Sequence, residues 1–216
     1  MTELRRGLPA LPSRIAKLPL DPRGYPIPWF VGVVDGKRDF RVADQGKRVQ
    51  AVNRKLCWIC GEPLGRMFAF VIGPMCAVNR NTSEPPCHRE CAVFAATACP
   101  FLCLPKSDYR KPPEGGKMLA GALDGNPGAC AVWITKSYRP YIVPGTTGRD
   151  RQWLITIGPA HEVLWFAEGR TASRAQIEDS FTRRLPLLRE VAQAQGPEAC
   201  AYLDEQVAVA MALLPA

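Results

Sequence analysis

Seven of the nine cysteines and one of the two histidines fall between residues 57 and 103, in CWICGEPLGRMFAFVIGPMCAVNRNTSEPPCHRECAVFAATACPFLC. Thiolates and imidazoles are the ligands that zinc prefers, and tetrahedral zinc needs four of them, with sulfur at about 2.3 Å and nitrogen at about 2.0 to 2.1 Å. Cys57-x-x-Cys60-Gly61 has the spacing of a knuckle, a tight turn that aims two sulfurs at one ion. Gly61 there permits a positive φ. His88 and Cys91 are three apart and therefore cofacial on a helix, so Cys57, Cys60, His88 and Cys91 can close one zinc site across the 27 residues between the pairs. A site with four protein ligands keeps no position for an activated water, and its role is structural.

The remaining thiols were weighed against that set. Cys87 competes with His88, because Cys87 and Cys91 would also share a helix face, but that pairing leaves the histidine unexplained. Cys99 and Cys103 flank Pro-Phe-Leu and could contribute to a second site. Cys76, Cys130 and Cys200 read as small buried hydrophobes.

The elements that must position these ligands follow from pattern. Six prolines in residues 1 to 28 forbid a long helix and predict an extended arm carrying Arg5, Arg6, Arg14, Lys17 and Arg23, which could lie across phosphates or pack on its own domain. WFVGVV, the turn dipeptide Asp35-Gly36 and DFRV predict a hairpin. Val49, Val52 and Leu56 are spaced for a short helix over 44–56, whose other face bears Lys47, Arg48, Arg54 and Lys55. MFAFVI reads as a strand closed by Gly73-Pro74, and 91–98 as a short helix. Residues 105 to 130, rich in Pro and Gly, read as a linker or long surface loop. Beyond them 131–137, 152–157 and 162–167 read as a small antiparallel meander, with the second and third strands joined around Gly158-Pro159. Ser173 and Gln176 form a capping box for a helix whose apolar face is Ile177, Phe181, Leu185, Leu188 and Ala192, and Pro186 is expected to kink or split it. Gly196-Pro197 opens a second helix. The fold class is thus α+β, in four parts. These are a Pro-rich basic arm (1–28), a zinc-binding treble-clef-like domain (29–104), the linker (105–130), and a small antiparallel sheet with a C-terminal helical hairpin (131–216).

Charge bounds the partners. Residues 1 to 56 hold 12 basic and 5 acidic side chains, whereas residues 161 to 216 hold 5 and 8. A basic N-terminal part suits a polyanion, so Arg5, Arg6, Arg14, Lys17, Lys47, Arg48, Arg54 and Lys55 are the candidate nucleic-acid contacts. The N-terminal stretch has no uninterrupted apolar run, and nothing approaches the roughly 18 apolar residues of a membrane span. Thiols in that number without a secretion signal suit a reducing cytoplasm.

Catalysis finds little support. No Walker loop, GxGxxG, GxSxG or HExxH occurs. An HNH-like nuclease, the enzyme closest in scaffold, needs a histidine base on the hairpin before the helix. The corresponding stretch FVIGPMCAVNRNTSEPP offers Asn79, Asn81 and Glu84 but no histidine, and His161 lies elsewhere beside Glu162.

The runs CWICGEPLG, FAFVIGPMCAVNR, SEPPCHRECA and CPFL, with GYPIPWFV before them and WFAEGRTASRAQI after, resemble a family of uncharacterised proteins encoded by bacteriophages and prophages. The resemblance covers most of the chain. It implies a phage-derived protein of the bacterial host cytoplasm with a treble-clef-like zinc centre, and it implies no activity. Two functions are compatible with it: binding of nucleic acid or a nucleoprotein, or an accessory grip on a host protein of the defence or transcription machinery, through the acidic helical hairpin or exposed aromatics.

Overall fold

The computed structural model describes residues 2–104, 126–144 and 151–215. The 105–125 part of the expected linker lies outside them. In chain order the elements are β1 (Val31–Val34), β2 (Lys37–Ala43), α1 (Gln45–Arg54), β3 (Phe68–Ile72), α2 (Pro74–Asn79), β4 (Asn81–Thr82), α3 (Arg89–Ala98), α4 (Pro100–Cys103), β5 (Cys130–Thr135), β6 (Tyr138–Pro144), β7 (Arg151–Ile157), β8 (Glu162–Ala167), β9 (Arg170–Thr171), α5 (Arg174–Gln195) and α6 (Pro197–Met211). The architecture is α+β, with small antiparallel sheets and helices at the C-terminal end.

The central sheet has the order β3-β5-β8-β9 and is antiparallel throughout. Successive side chains on a strand point to opposite faces, so a strand buried on both faces reads as a continuous apolar run. β5, CAVWIT, is such a strand, with every residue buried. One face of the sheet carries Phe68, Phe70, Ile72, Trp133 and Trp165 and packs with Ile177, Phe181 and Leu203 of the C-terminal helices. The opposite face carries Ala69, Val132, Ile134 and Phe166 and packs with Cys57, Trp58, Cys91, Ala92 and Ile15. The cysteine-bearing segment is therefore one outer layer of a sandwich. β3 precedes the expected linker and β5 follows it, and their pairing over five residues joins 29–104 to 131–216 in one sheet.

Several expectations need correction. The arm is folded rather than extended: Leu20 bridges Pro26, and Ile15 and Ile27 are buried. Its organiser is Asp21, whose carboxylate accepts from the backbone N–H groups of Arg23 and Tyr25 and from Arg23 Nε. The meander is also wrong. β7 pairs with β4 and β6, while β8 pairs with β5, so the two strands flanking Gly158-Pro159 belong to different sheets. The missing partner was β6, whose Pro140 and Pro144 argue against a strand; it lies at the sheet edge, where proline is tolerated. α2 begins with Pro74 at its first turn, where a strand terminus alone had been expected. α1 buries Ala51 and Val52 and leaves Val49 exposed. α3 starts at Arg89, two residues before the expected start.

Other local readings stand. Asp35 and Gly36 both have positive φ and close the β1–β2 hairpin with Val34 opposite Lys37. The capping box at Ser173 and Gln176 is formed, but the expected split at Pro186 does not occur, and α5 runs 22 residues through it. Ile177, Phe181, Leu188 and Ala192 are its buried face, with Leu185 partly buried against it.

Candidate metal centre

The knuckle is built by backbone hydrogen bonds that fold residues 55–64 back on themselves. Cys57 N–H donates to Glu62 O, Gly61 N–H to Cys57 O, and Leu64 N–H to Lys55 O, each at 2.8 Å. Gly61 has φ +78°, and a Cβ there would stand 2.7 Å from Cγ of Trp29. Only glycine fits both constraints. Trp58, between the two cysteines, is 2% exposed and stacks on Phe30 with ring centroids 4.9 Å apart.

The second ligand pair comes from the start of α3. His88 is the N-cap, with φ −65° and ψ 150°, and Cys91 lies one turn on in the helix. Two contacts hold this helix end against the sheet. Cys87 exchanges backbone hydrogen bonds with Ala69 of β3 at 2.7 and 2.9 Å, and Arg89 makes a two-pronged ion pair to Glu162 at the start of β8, at 2.7 and 3.0 Å.

The ligand atoms of Cys57, Cys60, His88 and Cys91 all lie within 4.8 Å of one another. For sulfurs about 2.3 Å from one ion at tetrahedral angles, the expected separation is about 3.8 Å. His88 Nδ1 stands 3.4 Å from the Cys60 sulfur and 4.0 Å from that of Cys91. Its other nitrogen, Nε2, is 3.0 Å from the carbonyl oxygen of Pro63. A carbonyl only accepts, so the proton sits on Nε2 and the lone pair of Nδ1 faces the sulfurs. Such an outer hydrogen bond fixes the tautomer and ring orientation of a ligating histidine.

The clustered thiols perturb one another strongly. The Cys57 sulfur accepts from the thiols of Cys60, Cys87 and Cys91, which hold its pKa far below the ordinary thiol value; the same bonds push those three thiols up. The backbone N–H groups of Cys60 and His88 also point at Cys57 Sγ, at 3.5 and 3.4 Å. The group can hold a metal ion, and it is the only such His, Cys, Asp or Glu group among the described residues. Cys87 lies outside the four and serves as a donor to Cys57. Its signal in the sequence was its place directly before the ligand His88; Pro63, the carbonyl behind His88, had none.

The other candidate residues are dispersed. Arg14 pairs with Glu62 and Glu90, and Lys17 with Glu62. Lys47 Nζ donates to the carbonyls of Trp29 and Val31, at 2.7 and 3.4 Å. The Arg48 guanidinium lies over the Trp58 ring, with its Nε buried. Arg14, Lys47 and Arg48 are thus engaged within their own protein, while Lys17 stays 68% exposed beside Glu62. Arg5 stacks on Tyr25, while Arg6, Arg54 and Lys55 are exposed, with no side-chain hydrogen bond or ion pair to the described residues. Of the residues considered for a nuclease, Asn81 Oδ1 accepts from the hydroxyls of Tyr141 and Thr156 and so ties β4 to β6 and β7. His161 is exposed directly before β8.

No helix among the described residues is long and apolar enough to cross a membrane. No family model, no curated protein and no solved structure matches the chain.

Proposed function

We propose that Cys57, Cys60, His88 and Cys91 hold a structural zinc ion, and that the protein acts by binding nucleic acid or a nucleoprotein rather than by catalysis. The observation that carries the zinc assignment is the convergence of three sulfurs and a tautomerically fixed Nδ1 within 4.8 Å. Soft thiolates with one imidazole suit zinc, and four protein ligands fill its tetrahedron. The element order supports a treble-clef-like centre: a knuckle, then β3 with its return contact at Cys87, then a helix whose first turn supplies the second pair. α2 and β4 are inserted between β3 and that return contact.

The nucleic-acid reading draws on the basic excess of residues 1 to 56. Lys and Arg contacts to phosphates release counterions, so affinity falls linearly with salt on a logarithmic scale. The role of a phage accessory factor rests on the sequence resemblance alone. Two measurements test the proposal. Elemental analysis of the purified protein is expected to find one zinc per chain, and Cys91→Ser to lose it; a folded wild-type protein free of metal refutes the assignment. Mobility shifts with DNA and RNA over a salt series are expected to show binding that weakens steeply as salt rises; no shift at low salt refutes the nucleic-acid reading. In that case a pull-down from bacterial lysate tests the host-protein alternative, for which Tyr202 and Val209, exposed on α6, are the natural contacts.

A further inference from the structure

We infer that the folded arm and the β1–β2 hairpin together form the surface that grips a nucleic-acid phosphate backbone; this rests on the nucleic-acid reading above and gives it a location. The sequence expectation spread the contacts over the arm and α1, but Arg14, Lys47 and Arg48 are engaged by groups of their own protein. The hairpin shows the opposite arrangement. Arg23, Lys37, Arg38, Phe40 and Arg41 line an open concavity of about 750 Å³, in which the acidic groups are Asp35 and Asp39.

Two of its guanidiniums are oriented by carboxylates and remain more than half exposed. Arg23 is oriented by a single bond from Nε to the Asp21 carboxylate, at 2.7 Å, and its side chain remains 60% exposed. Its guanidinium carbon lies 5.4 Å from the ring centroid of Tyr25 and 5.4 Å from that of Phe40, and Arg5 covers Tyr25 at 5.1 Å. The resulting series Arg5, Tyr25, Arg23, Phe40 stitches the arm to β2. Arg41 is fixed by Asp39 through Nε and Nη2, at 2.9 and 2.8 Å, and is 63% exposed. Lys37 and Arg38 are exposed at the turn, with no side-chain hydrogen bond or ion pair to the described residues. A planar guanidinium matches a phosphate edge-on, and one already oriented by stacking and a carboxylate loses less side-chain freedom on binding than a free lysine does. Spaced phosphates along one strand suit several such heads around an open concavity. Base edges are not required, so the expected binding is indifferent to sequence.

The test compares the full-length wild type with three variants on a labelled single-stranded DNA, its duplex and an RNA of the same sequence, from about 50 to about 200 mM salt. Lys37→Ala/Arg38→Ala removes two cations of the concavity, and Lys136→Ala/Arg139→Ala removes the same charge from exposed positions elsewhere. The hairpin variant is expected to bind about tenfold more weakly, with a logarithmic salt slope smaller by about two, one unit per lost phosphate contact. The charge-matched control is expected to change affinity by less than about threefold, the general effect of net charge. Arg23→Lys keeps the charge but loses the planar stack; it is expected to weaken binding with the salt slope nearly intact. Metal content and circular dichroism check that each variant is folded, and Arg23→Lys serves if the double variant is not. Equal losses in the two double variants, or none in the hairpin variant and Arg23→Lys, overturn the location and leave the nucleic-acid reading standing. A wild type that binds none of the three probes removes both. Which probe binds tightest identifies the natural backbone.

Discussion

Gly61 is the residue on which the knuckle most depends after its ligands. It combines a left-handed backbone with a Trp29 ring where a side chain would go. Gly61→Ala must move that ring or open the turn, and Trp29 is itself held by its N–H to Ile59 O, at 2.7 Å. We expect a loss of about 2 kcal/mol in stability, measured by denaturant unfolding of the zinc-loaded protein, with weaker zinc retention in a competition with a chelator. The ligands themselves could be chosen from types and spacing, because a CxxC turn and an i, i+3 pair at a helix start are local geometries. His88 is preferred to Cys87 because the other pairing leaves the histidine unexplained, and the structure groups His88 with the three cysteines. Cys87 lies outside that cluster, with its backbone bonded to Ala69 of β3.

Among the elements, the arm departs furthest from expectation. Six prolines exclude a long helix but do not require an extended chain: the Asp21 turn closes residues 20 to 26 into a loop, and Leu11, Ile15 and Leu18 pack on the cysteine-bearing layer. Burial raises the Asp21 carboxyl, but hydrogen bonds from Tyr25 and Arg23 outweigh it and hold the pKa below its ordinary value. A depressed carboxylate contributes stability above its unfolded pKa of about 3.9, and that contribution is lost as pH falls through the folded value. Acidification below about pH 4 is therefore expected to loosen the arm, read from the amide resonances of Tyr25 and Arg23. Asp21→Asn is expected to cost about 2 kcal/mol at neutral pH and to flatten that dependence. At the other end of the chain, Ser173→Ala removes one cap of α5 and is expected to cost about 1 kcal/mol by the same denaturant measurement. The capping box and the Asp35-Gly36 turn were legible because both are closed by neighbours in sequence.

In the whole molecule the sheet has two faces with different supports. One is covered by the helices α2, α5 and α6, and the other by the cysteine-bearing layer, which the proposed zinc would tie together. A structural zinc supplies roughly 10 kcal/mol or more of folding free energy in small metal domains. Chelation is accordingly expected to raise hydrogen exchange first in the arm, the knuckle and α3, while α5 and α6 keep their protection. Uniform loss across both faces would show that the layers unfold as one unit. Cutting the chain after residue 104 is expected to leave a fragment without cooperative unfolding, because β3 loses β5 and its Phe68, Phe70 and Ile72 lose the helices that cover them.

By itself the sequence determined what short-range geometry can encode: the four ligand types and their spacing, the hairpin turn, the capping box, the apolar stripe of α5, and the segregation of charge. Only the tertiary structure decided which strands meet. β7 and β8 are neighbours in the chain and lie in different sheets, because pairing is settled by which apolar faces can be buried together and not by the loop between them. It also decided which cations remain available. Arg14, Lys47 and Arg48 look no different in the chain from Lys37 and Arg38, yet the acceptors or rings that occupy the first group are brought to them by the docking of the arm, the hairpin and α1 on the knuckle and by the fold around it. A charge is a property of a residue, but its availability depends on the acceptors that the fold places within reach.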